Sequence, residues 1–328
     1  MKQLFERIVN EAISINATDI HFFQKEECQI RIRVFDELKT IKILPLTTSE
    51  KLLNYIRYIS NIDLNYKFKP QTGQYRFILR NIEYALRISS FPTSKCDSIV
   101  IRILNQEKTL SIDECFPLKQ VSEKIKNIVK RQYGLFLISG PTGSGKSTTL
   151  YALLDHLYMQ SMQNIITLED PIEVSKDYAL QIQINEELDI TYEKCLHQIL
   201  RHDPNIIVIG EIRDEEVAKM AITCALTGHL VIATIHAGGA ILTILRMIQL
   251  GCLHLDLQEV LIGIISQRMI FENKKRFVIT EIMDKLALKE YFLGDQKIDY
   301  DFHDCLEQLV KNEKISNQFK EQYCQEKL

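Results

Sequence analysis

The chain has 328 residues, of which 46% are hydrophobic and 25% are charged, and its formal net charge is −3. This length suits two domains with separate cores, and this composition is that of a soluble globular protein rather than a disordered or fibrous one. Every long apolar run contains a polar interruption, so we expect no membrane-spanning helix. The near-neutral charge lacks the basic excess that is typical of nucleic-acid-binding proteins, so we expect no direct nucleic-acid binding.

The amino terminus and the cysteines indicate an unexported protein. Residues 1–10 contain the charged residues Glu6 and Arg7. They lack the pattern of a secretory signal peptide, which is an apolar stretch followed by a small-residue cleavage site. The eight cysteines never form a Cys-x-x-Cys pair, which is the usual spacing for two thiolates on one zinc ion. We therefore expect reduced thiols, a cytoplasmic location and no zinc.

The first part of the chain has the pattern of an α+β domain. Helical spacing runs from Leu4 to Ile15. Alternating apolar and polar residues predict strands at Gln29 to Val34, Tyr75 to Leu79, Tyr84 to Ser89 and Ser98 to Leu104. The periodicity breaks in a charged, turn-like stretch, so we place a linker at residues 106–120, after a first domain of residues 1–105.

The second part, residues 121–328, has an α/β pattern. Nearly continuous apolar runs predict buried strands at Leu135 to Ser139, Asn164 to Leu168, Asn205 to Ile209 and Leu230 to Thr234. Helical stretches lie between them at Ser147 to Met159, Tyr192 to Arg201 and Asp214 to Leu226. This alternation predicts a mainly parallel sheet covered by helices. From about Leu253 onward we expect helices and one short strand near Phe277 to Ile282.

A glycine-rich segment between a predicted strand and a predicted helix is the strongest chemical signal. Glycines in such a loop let backbone amides turn toward phosphates, and the helix start adds its positive end. A lysine neutralises the outer phosphates, and a hydroxyl can bind magnesium. The segment predicts an ATP site with bound Mg²⁺, formed by Gly140, Pro141, Thr142, Gly143, Ser144, Gly145, Lys146, Ser147 and Thr148.

Two carboxylate clusters follow predicted strands of the second part. One contains Glu211 and Arg213, and the other contains Glu169 and Glu173. Ligands of open parallel sheets bind at the carboxyl ends of the strands, so both clusters can converge on the phosphates. Hydrolysis needs a carboxylate that orients or deprotonates water, and we predict Glu211 for this role.

Two histidines flank the strand Leu230 to Thr234. His229 precedes this strand and His236 follows it, so that one strand length separates them. Only one of them can therefore touch a given phosphate. A lone histidine can equally be a satisfied core residue.

The clusters together resemble the secretion ATPase superfamily of type II secretion and type IV pilus motors. The resemblance covers a Walker A box, an Asp box, a Walker B box and a His box, in that order. It extends to the first part, where Ala17-Thr-Asp-Ile-His21 and Arg87-Ile-Ser-Ser-Phe-Pro-Thr93 are similar to family motifs. The four boxes are Gly140 to Ser147, Thr167 to Glu173, Ile206 to Asp214 and Thr227 to His236.

This resemblance implies an architecture and roles for further residues. The first domain would be PAS-like, the second RecA-like with a helical carboxyl-terminal part, and six subunits would form a ring. Arg87 and Arg102 of the first domain would reach the phosphates, which offers a purpose for a locally basic segment that could otherwise be a solvated sheet face. Glu169, Glu173, Arg213 and His236 would assist catalysis, and His229 would contact the nucleotide.

Three departures from the family pattern affect individual residues. Gln74 stands where the family usually has an arginine, and Arg76 is a candidate replacement. Ala237-Gly238-Gly239 follows the second histidine in place of Thr-Asn-Asp. Gly210 stands where other P-loop enzymes have the Walker B aspartate. We therefore assign magnesium to Ser147 and, partly through water, to Glu169 and Glu211.

The compact length and the missing zinc module resemble the ATPases of the Gram-positive competence pseudopilus, the ComGA type. The implied partners are a homohexamer, a polytopic membrane platform protein and, indirectly, pilins, and the implied location is the inner face of the cell membrane. An assembly motor is the main hypothesis. A retraction motor, a non-hydrolysing nucleotide-dependent scaffold and a small-molecule kinase are alternatives, although the sequence has no signature of an acceptor pocket or lid.

Overall fold

The computed structural model describes the chain apart from residues 35–36, 66–68, 81, 94–95, 106–109, 274, 296–297, 299 and 328. The chain forms two compact units, Met1–Lys108 and Thr109–Leu328. Among the described residues, no helix has both the length and the apolar character needed to cross a membrane.

The first unit is a six-stranded antiparallel sheet with two helices. Its elements are α1 (Lys2–Ser14), β1 (Asp19–Gln24), β2 (Glu27–Val34), β3 (Glu37–Pro45), α2 (Leu46–Ile59), β4 (Gln71–Leu79), β5 (Ile82–Ser90) and β6 (Asp97–Asn105). The strand order is β3-β2-β1-β6-β5-β4. In α1, Phe5, Ile8, Val9 and Ala12 recur at helical spacing and are all buried. They pack in the hydrophobic core of this unit.

The second unit is a seven-stranded sheet with helices on both faces. It begins with α3 (Ile112–Cys115), α4 (Lys119–Ile128), β7 (Gly134–Ser139), α5 (Lys146–Gln160), β8 (Ile165–Glu169), β9 (Ala179–Gln183), α6 (Tyr192–Ile199), β10 (Ile206–Ile212) and α7 (Glu215–Leu226). It continues with β11 (Leu230–Ile235), α8 (Ala240–Gln249), α9 (His254–Val260), β12 (Leu261–Glu272), β13 (Lys275–Asp284), α10 (Lys285–Phe292), α11 (Phe302–Lys311) and α12 (Asn317–Lys327).

The order of this sheet, β13-β12-β7-β11-β10-β8-β9, places β7 and β11 at its centre. The strands pair in parallel except for β12 and β13, which are antiparallel. In β7, Phe136 and Ile138 face one core, while Leu135 and Leu137 face the other. Burial on both faces explains the continuous apolar runs in the sequence. The predicted α/β class and mainly parallel sheet are confirmed.

The region after residue 253 contains more strand than the sequence predicted. Helices α9 to α12 do occur here, but β12 and β13 form a long hairpin, and β12 pairs with β7 beside the glycine-rich loop. The prediction of one short strand was therefore wrong. A run such as Leu261 to Ile265 is fully buried, and an apolar run of that kind does not distinguish a strand from a buried helix.

Part of the predicted linker lies in the second unit. Residues 106–109 are outside the described part of the chain, but residues 112–115 form α3. Ser111 begins this helix with a capping box, in which the Glu114 carboxylate accepts a hydrogen bond of 2.9 Å from the backbone N–H of Ser111. Ile112 and Phe116 are buried in the core beside α5. The packed part, residues 110–120, is therefore not a free connection.

Candidate active site

The glycine-rich loop connects β7 with α5, as the sequence predicts. Gly140, Gly143 and Gly145 have φ values of +147°, +80° and +91°, which side chains rarely adopt. A Cβ on Gly140 would lie 2.3 Å from the carbonyl oxygen of Gln267 in β12, whereas one on Gly143 would meet nothing within 4 Å. The loop is thus closed against β12 on one side and open on the other.

Lys146 is the first residue of α5, directly after this loop, and is 9% exposed. Its Nζ donates to the carbonyl oxygens of Gly140, at 2.9 Å, and of Pro141, at 3.1 Å. Burial lowers the pKa of Lys146, while the negative charges of Glu211 and Glu173 oppose this shift. The predicted convergence of the two carboxylate clusters on the phosphates stays a prediction.

The hydroxyl groups of the loop are suited to phosphate and magnesium. Ser144 is fully buried, and its Oγ has no hydrogen-bond partner among the described residues. Ser147 is half-buried in the first turn of α5, where backbone N–H groups lack partners within the helix. Pro141, Thr142 and Thr148 are exposed. An orphaned donor beside an open loop and a helix start is what a phosphate group requires.

Glu211 is held from two sides at the carboxyl end of β10. Its Oε1 lies 2.8 Å from Nε2 of His236, and its Oε2 accepts a hydrogen bond of 2.8 Å from Nε of Arg213. The pairing of β10 with β11 shifts register between Ile209 and Ile212, and such an irregularity changes the direction of a side chain. The structure thus brings together the predicted residues Glu211, His236 and Arg213.

Arg213 also connects this cluster to the next strand. Its Nη1 donates to Oδ2 of Asp170 at 2.8 Å, and its Nη2 donates to the backbone oxygen of Asp170 at 3.2 Å. These contacts raise the pKa of Arg213, with the hydrogen bond to Glu211 as the largest cause. Asp170 was not predicted as a site residue, although it lies in the Asp box. Its pairing with Arg213 joins the ends of β8 and β10.

Glu169 is placed differently from its predicted role as a magnesium ligand. It is 4% exposed, and its Oε1 accepts hydrogen bonds from Thr167 at 2.6 Å and from Gln181 at 3.0 Å. Its Oε2 accepts a hydrogen bond from Tyr151. A carboxylate enclosed by three protein donors has little room for a hydrated ion. In this structure Glu169 organises its protein neighbours, and its predicted contact with magnesium through water stays a prediction.

Tyr151 connects the buried carboxylate of Glu169 with the segment that contains Glu173. The Tyr151 hydroxyl accepts hydrogen bonds from the backbone N–H groups of Glu173, at 3.3 Å, and Val174, at 3.2 Å. Burial and the adjacent Glu169 raise the pKa of Tyr151, so the hydroxyl stays protonated. One buried phenol therefore holds Glu169 and the segment that carries Glu173.

His229 lies away from the glycine-rich loop of its own chain. Its backbone oxygen accepts from Gly134, at the start of β7, whereas the loop follows the end of β7. The six residues of β11 span about 20 Å at ~3.3 Å per residue. Nδ1 of His229 is 3.1 Å from Oγ1 of Thr227 and 3.2 Å from the oxygen of Cys224. Within its own chain His229 is therefore far from the glycine-rich loop, and its predicted contact with a nucleotide stays a prediction.

Arg87 and Arg102 are neighbours on the sheet of the first unit. They are directly paired across β5 and β6. Across the sheet, Arg87 is also paired with Gln74 in β4, and Arg102 is also paired with Asp19 in β1. Arg102 donates to Asp19 at 3.0 Å, and Arg87 is exposed. Arg76 lies two positions along β4 from Gln74 and so shares its face. Two like charges placed side by side cost energy unless an anion balances them.

Functional side chains on β12 and β13 were not predicted from the sequence. Gln267 donates from Nε2 to Oγ1 of Thr149 in α5 at 2.8 Å, so β12 contacts the helix that follows the loop. Arg268 and Glu281 contact the segment after His236. These residues could have been noticed in the sequence because they are polar and lie inside otherwise apolar runs. Among the described residues, no group of three or more His, Cys, Asp or Glu side chains could hold a metal ion.

Comparison with known proteins assigns the family. A family model described as "Type II/IV secretion system protein" matches residues 1–316. The chain belongs to this family. A relative within it is the competence protein ComGA of Halalkalibacterium halodurans, which is 36% identical over 305 residues, covering 87% of each chain. ComGA of Bacillus subtilis is 34% identical over 271 residues, covering 82% of this chain and 76% of that relative.

The chain is also similar to a longer relative and to two proteins of known structure. The type IV pilus assembly ATPase PilB of Thermus thermophilus is 34% identical over 271 residues, which are 82% of this chain but 30% of PilB. The ATPase DotB of Legionella pneumophila has a TM-score of 0.81 at 23% identity, covering 98% of this chain and 95% of DotB. The pilus retraction motor PilT with bound ADP has a TM-score of 0.72 at 25% identity, covering 94% and 93%. These likenesses agree with the predicted secretion-ATPase fold.

Proposed function

We propose that this protein is a hexameric motor that hydrolyses ATP to drive assembly of a pilus-like competence fibre. The observation that carries the proposal is the edge of the sheet where Lys146 lies inside the open glycine-rich loop after β7, and Glu211 is held by His236 and Arg213 at the end of β10. A binding-only protein needs the loop but not a carboxylate fixed at the same edge of the sheet. The family and its ATPase members support the same reaction.

The residues of this chain divide the reaction among them. The loop amides, the start of α5 and Lys146 bind the phosphates of the substrate. Glu211, fixed by His236 and Arg213, orients the attacking water and accepts its proton. Magnesium, held by Ser147 and through water by Glu211, would neutralise phosphate charge. Arg87 and Arg102 would stabilise the charge that develops on the transferred phosphoryl group.

We infer the biological role from what the similar proteins are called. Two relatives that match most of this chain are called competence proteins. We infer that the ring works at the cytoplasmic face of the membrane on a polytopic platform protein, and acts on pilins through that protein. With a net charge of −3, the motor itself has no charge excess that would favour DNA. We also propose that it contains no zinc.

The deciding experiment is a magnesium-dependent ATPase assay of the purified protein with nucleotide binding measured in parallel. Glu211→Gln should bind ATP but lose turnover by about 10²-fold or more, since the activating carboxylate is gone. Lys146→Ala should lose binding. If wild type binds ATP without hydrolysing it, even with platform protein present, the protein is a nucleotide-dependent scaffold and the catalytic assignments are wrong.

A retraction motor is the second candidate, because the fold also resembles PilT. The two directions differ in cells rather than in the ATPase assay. Deletion of the gene should abolish the competence fibre if the protein assembles it. A retraction motor would instead leave fibres that are longer or more numerous than in wild type.

A further inference from the structure

The segment after His236 has little rigidity of its own. Ala237, Gly238 and Gly239 separate His236 from the start of α8, and glycines leave the backbone many accessible conformations. His236 itself has a side chain that is 46% exposed. The position of its imidazole against Glu211 must therefore be fixed by contacts from other elements.

Glu281 in β13 provides one such contact. Its Oε2 accepts a hydrogen bond of 2.8 Å from the backbone N–H of Ala240, the first residue of α8. Gly239, at the N-cap position, has no side chain with which to satisfy the free N–H groups of the helix start. Glu281 replaces that missing cap from 41 positions away, and its negative charge suits the positive end of the helix.

Arg268 in β12 provides the second contact. Its Nη2 donates a hydrogen bond of 2.8 Å to the carbonyl oxygen of Gly238. The guanidinium carbon lies 4.4 Å from the ring centroid of Phe302, so the arginine is itself held in place. The two charged residues of the hairpin thus hold the backbone on both sides of Gly239.

The geometry points to Glu281 and Arg268 as positioning residues, which hold the segment 237–240 so that His236 stays paired with Glu211. This inference rests on the proposed function, because it assigns these side chains a part in ATP hydrolysis. Neither residue reaches the reacting atoms. They act through the distance of 2.8 Å between His236 Nε2 and Glu211 Oε1.

The chain contains a matched control on the same hairpin. Glu272 in β12 also uses its carboxylate near a helix start, accepting from the backbone N–H of Ser316 at 3.0 and 3.2 Å just before α12. Glu272→Ala therefore removes a comparable helix contact without touching the segment after His236. Thermal unfolding of both variants shows whether their stability losses are similar.

The test is a double-mutant cycle measured by kcat and by ATP affinity. Glu281→Ala should lower kcat about tenfold and leave the Kd for ATP within about threefold of wild type, as expected for a residue that acts on His236 through the backbone segment between them. In the His236→Ala background the same change should lower kcat by less than about threefold. Glu281→Gln keeps an acceptor oxygen for Ala240 and should restore most of the activity. Glu272→Ala should leave kcat near wild type.

A second readout does not depend on turnover. In protein labelled with ¹⁵N-histidine, the ring signal of His236, assigned by its loss in His236→Asn, should move in Glu281→Ala and stay in place in Glu272→Ala. If the signal does not move, or if the effects of Glu281→Ala and His236→Ala on kcat are independent, the inference is wrong even though wild type hydrolyses ATP. If wild type does not hydrolyse ATP, the proposed motor fails, and the histidine signal alone decides whether Glu281 positions His236.

Discussion

Lys146 is buried, yet its proposed role in ATP binding requires a positive charge. Burial disfavours its ammonium form and lowers its pKa, and the carboxylates of Glu211 and Glu173 partly reverse this effect. ATP binding uses the protonated lysine, so affinity should fall as the pH rises through its pKa. The neighbouring acids therefore determine how far into the alkaline range the site retains its cation.

Glu211→Gln should move this loss of affinity to lower pH. The substitution removes a negative charge that raises the pKa of Lys146, so the lysine deprotonates earlier. The measurement is the Kd for ATP between about pH 7 and the ordinary lysine pKa of ~10.4, for wild type and variant. Glu173→Gln should shift the curve in the same direction. A curve that is unchanged in both variants would contradict the electrostatic coupling.

The cysteines should fall into two reactivity classes. Burial raises the pKa of Cys28 to about 11 and of Cys224 to about 12, so that thiolate is scarce near neutral pH. The buried thiols are Cys28, Cys115, Cys224, Cys252 and Cys305, and the half-buried ones are Cys96, Cys195 and Cys324. Alkylation of the native protein, followed by mass spectrometry, should modify Cys96 and Cys324 first. Rapid modification of Cys224 would show that the core around α7 opens easily.

At the scale of elements, α5 contacts more of the site than the phosphate loop that precedes it. Its Tyr151 reaches across to the end of β8 and to the segment that carries Glu173. Lys176 and Asp155 make a second connection between α5 and that segment, with distances of 2.6 and 2.7 Å. The predicted Asp box is therefore fixed by the helix that follows the Walker A box.

Tyr151→Phe should lower the free energy of unfolding by about 1–3 kcal/mol. The change leaves two backbone N–H groups and a buried carboxylate oxygen without their partner, and unsatisfied buried groups cost about this much. Denaturant unfolding followed by circular dichroism measures the loss. Tyr133→Phe, which removes a hydroxyl from a side chain that is 66% exposed, is the control. Equal stability of both variants would mean that water replaces the hydroxyl of Tyr151.

The strands and helices around the phosphate loop could be predicted because the local residue pattern there matches the final fold. β7 is continuously apolar, the glycines follow at once, and α5 continues the pattern. β12 could not be predicted in this way, since Ser266, Gln267 and Arg268 interrupt its apolar run while the strand remains buried by its neighbours. The partners of Glu169 were also hidden, because Tyr151 and Gln181 meet it only through tertiary packing.

At the scale of the whole molecule, each unit has its own core. The core of the first unit lies between its sheet and helices α1 and α2, and the second unit has one core on each face of its sheet. The paired arginines of the first unit are therefore presented on a stable surface rather than on a free loop. Arg102 is anchored by Asp19, whereas Arg87 is exposed beside it.

Arg87→Ala should lower kcat by about 10²- to 10³-fold without unfolding the protein, as expected for the loss of a group that stabilises transition-state charge. Steady-state ATPase kinetics and thermal unfolding should be measured together. Arg7→Ala, at an exposed position of α1, controls for the loss of one positive charge from the same unit. Comparable activity of the two variants would exclude Arg87 from the reaction.

The pairing of β7 with β12 has a consequence for how the protein is made. Ser139 Oγ lies 3.4 Å from the backbone oxygen of Ile265, and 126 positions separate these residues. A ribosome therefore releases the phosphate loop long before the strand that closes one side of it. Until then β7 is an open apolar sheet edge, which is a risk for aggregation. Newly made chains should acquire nucleotide affinity only after the β12–β13 hairpin has left the exit tunnel.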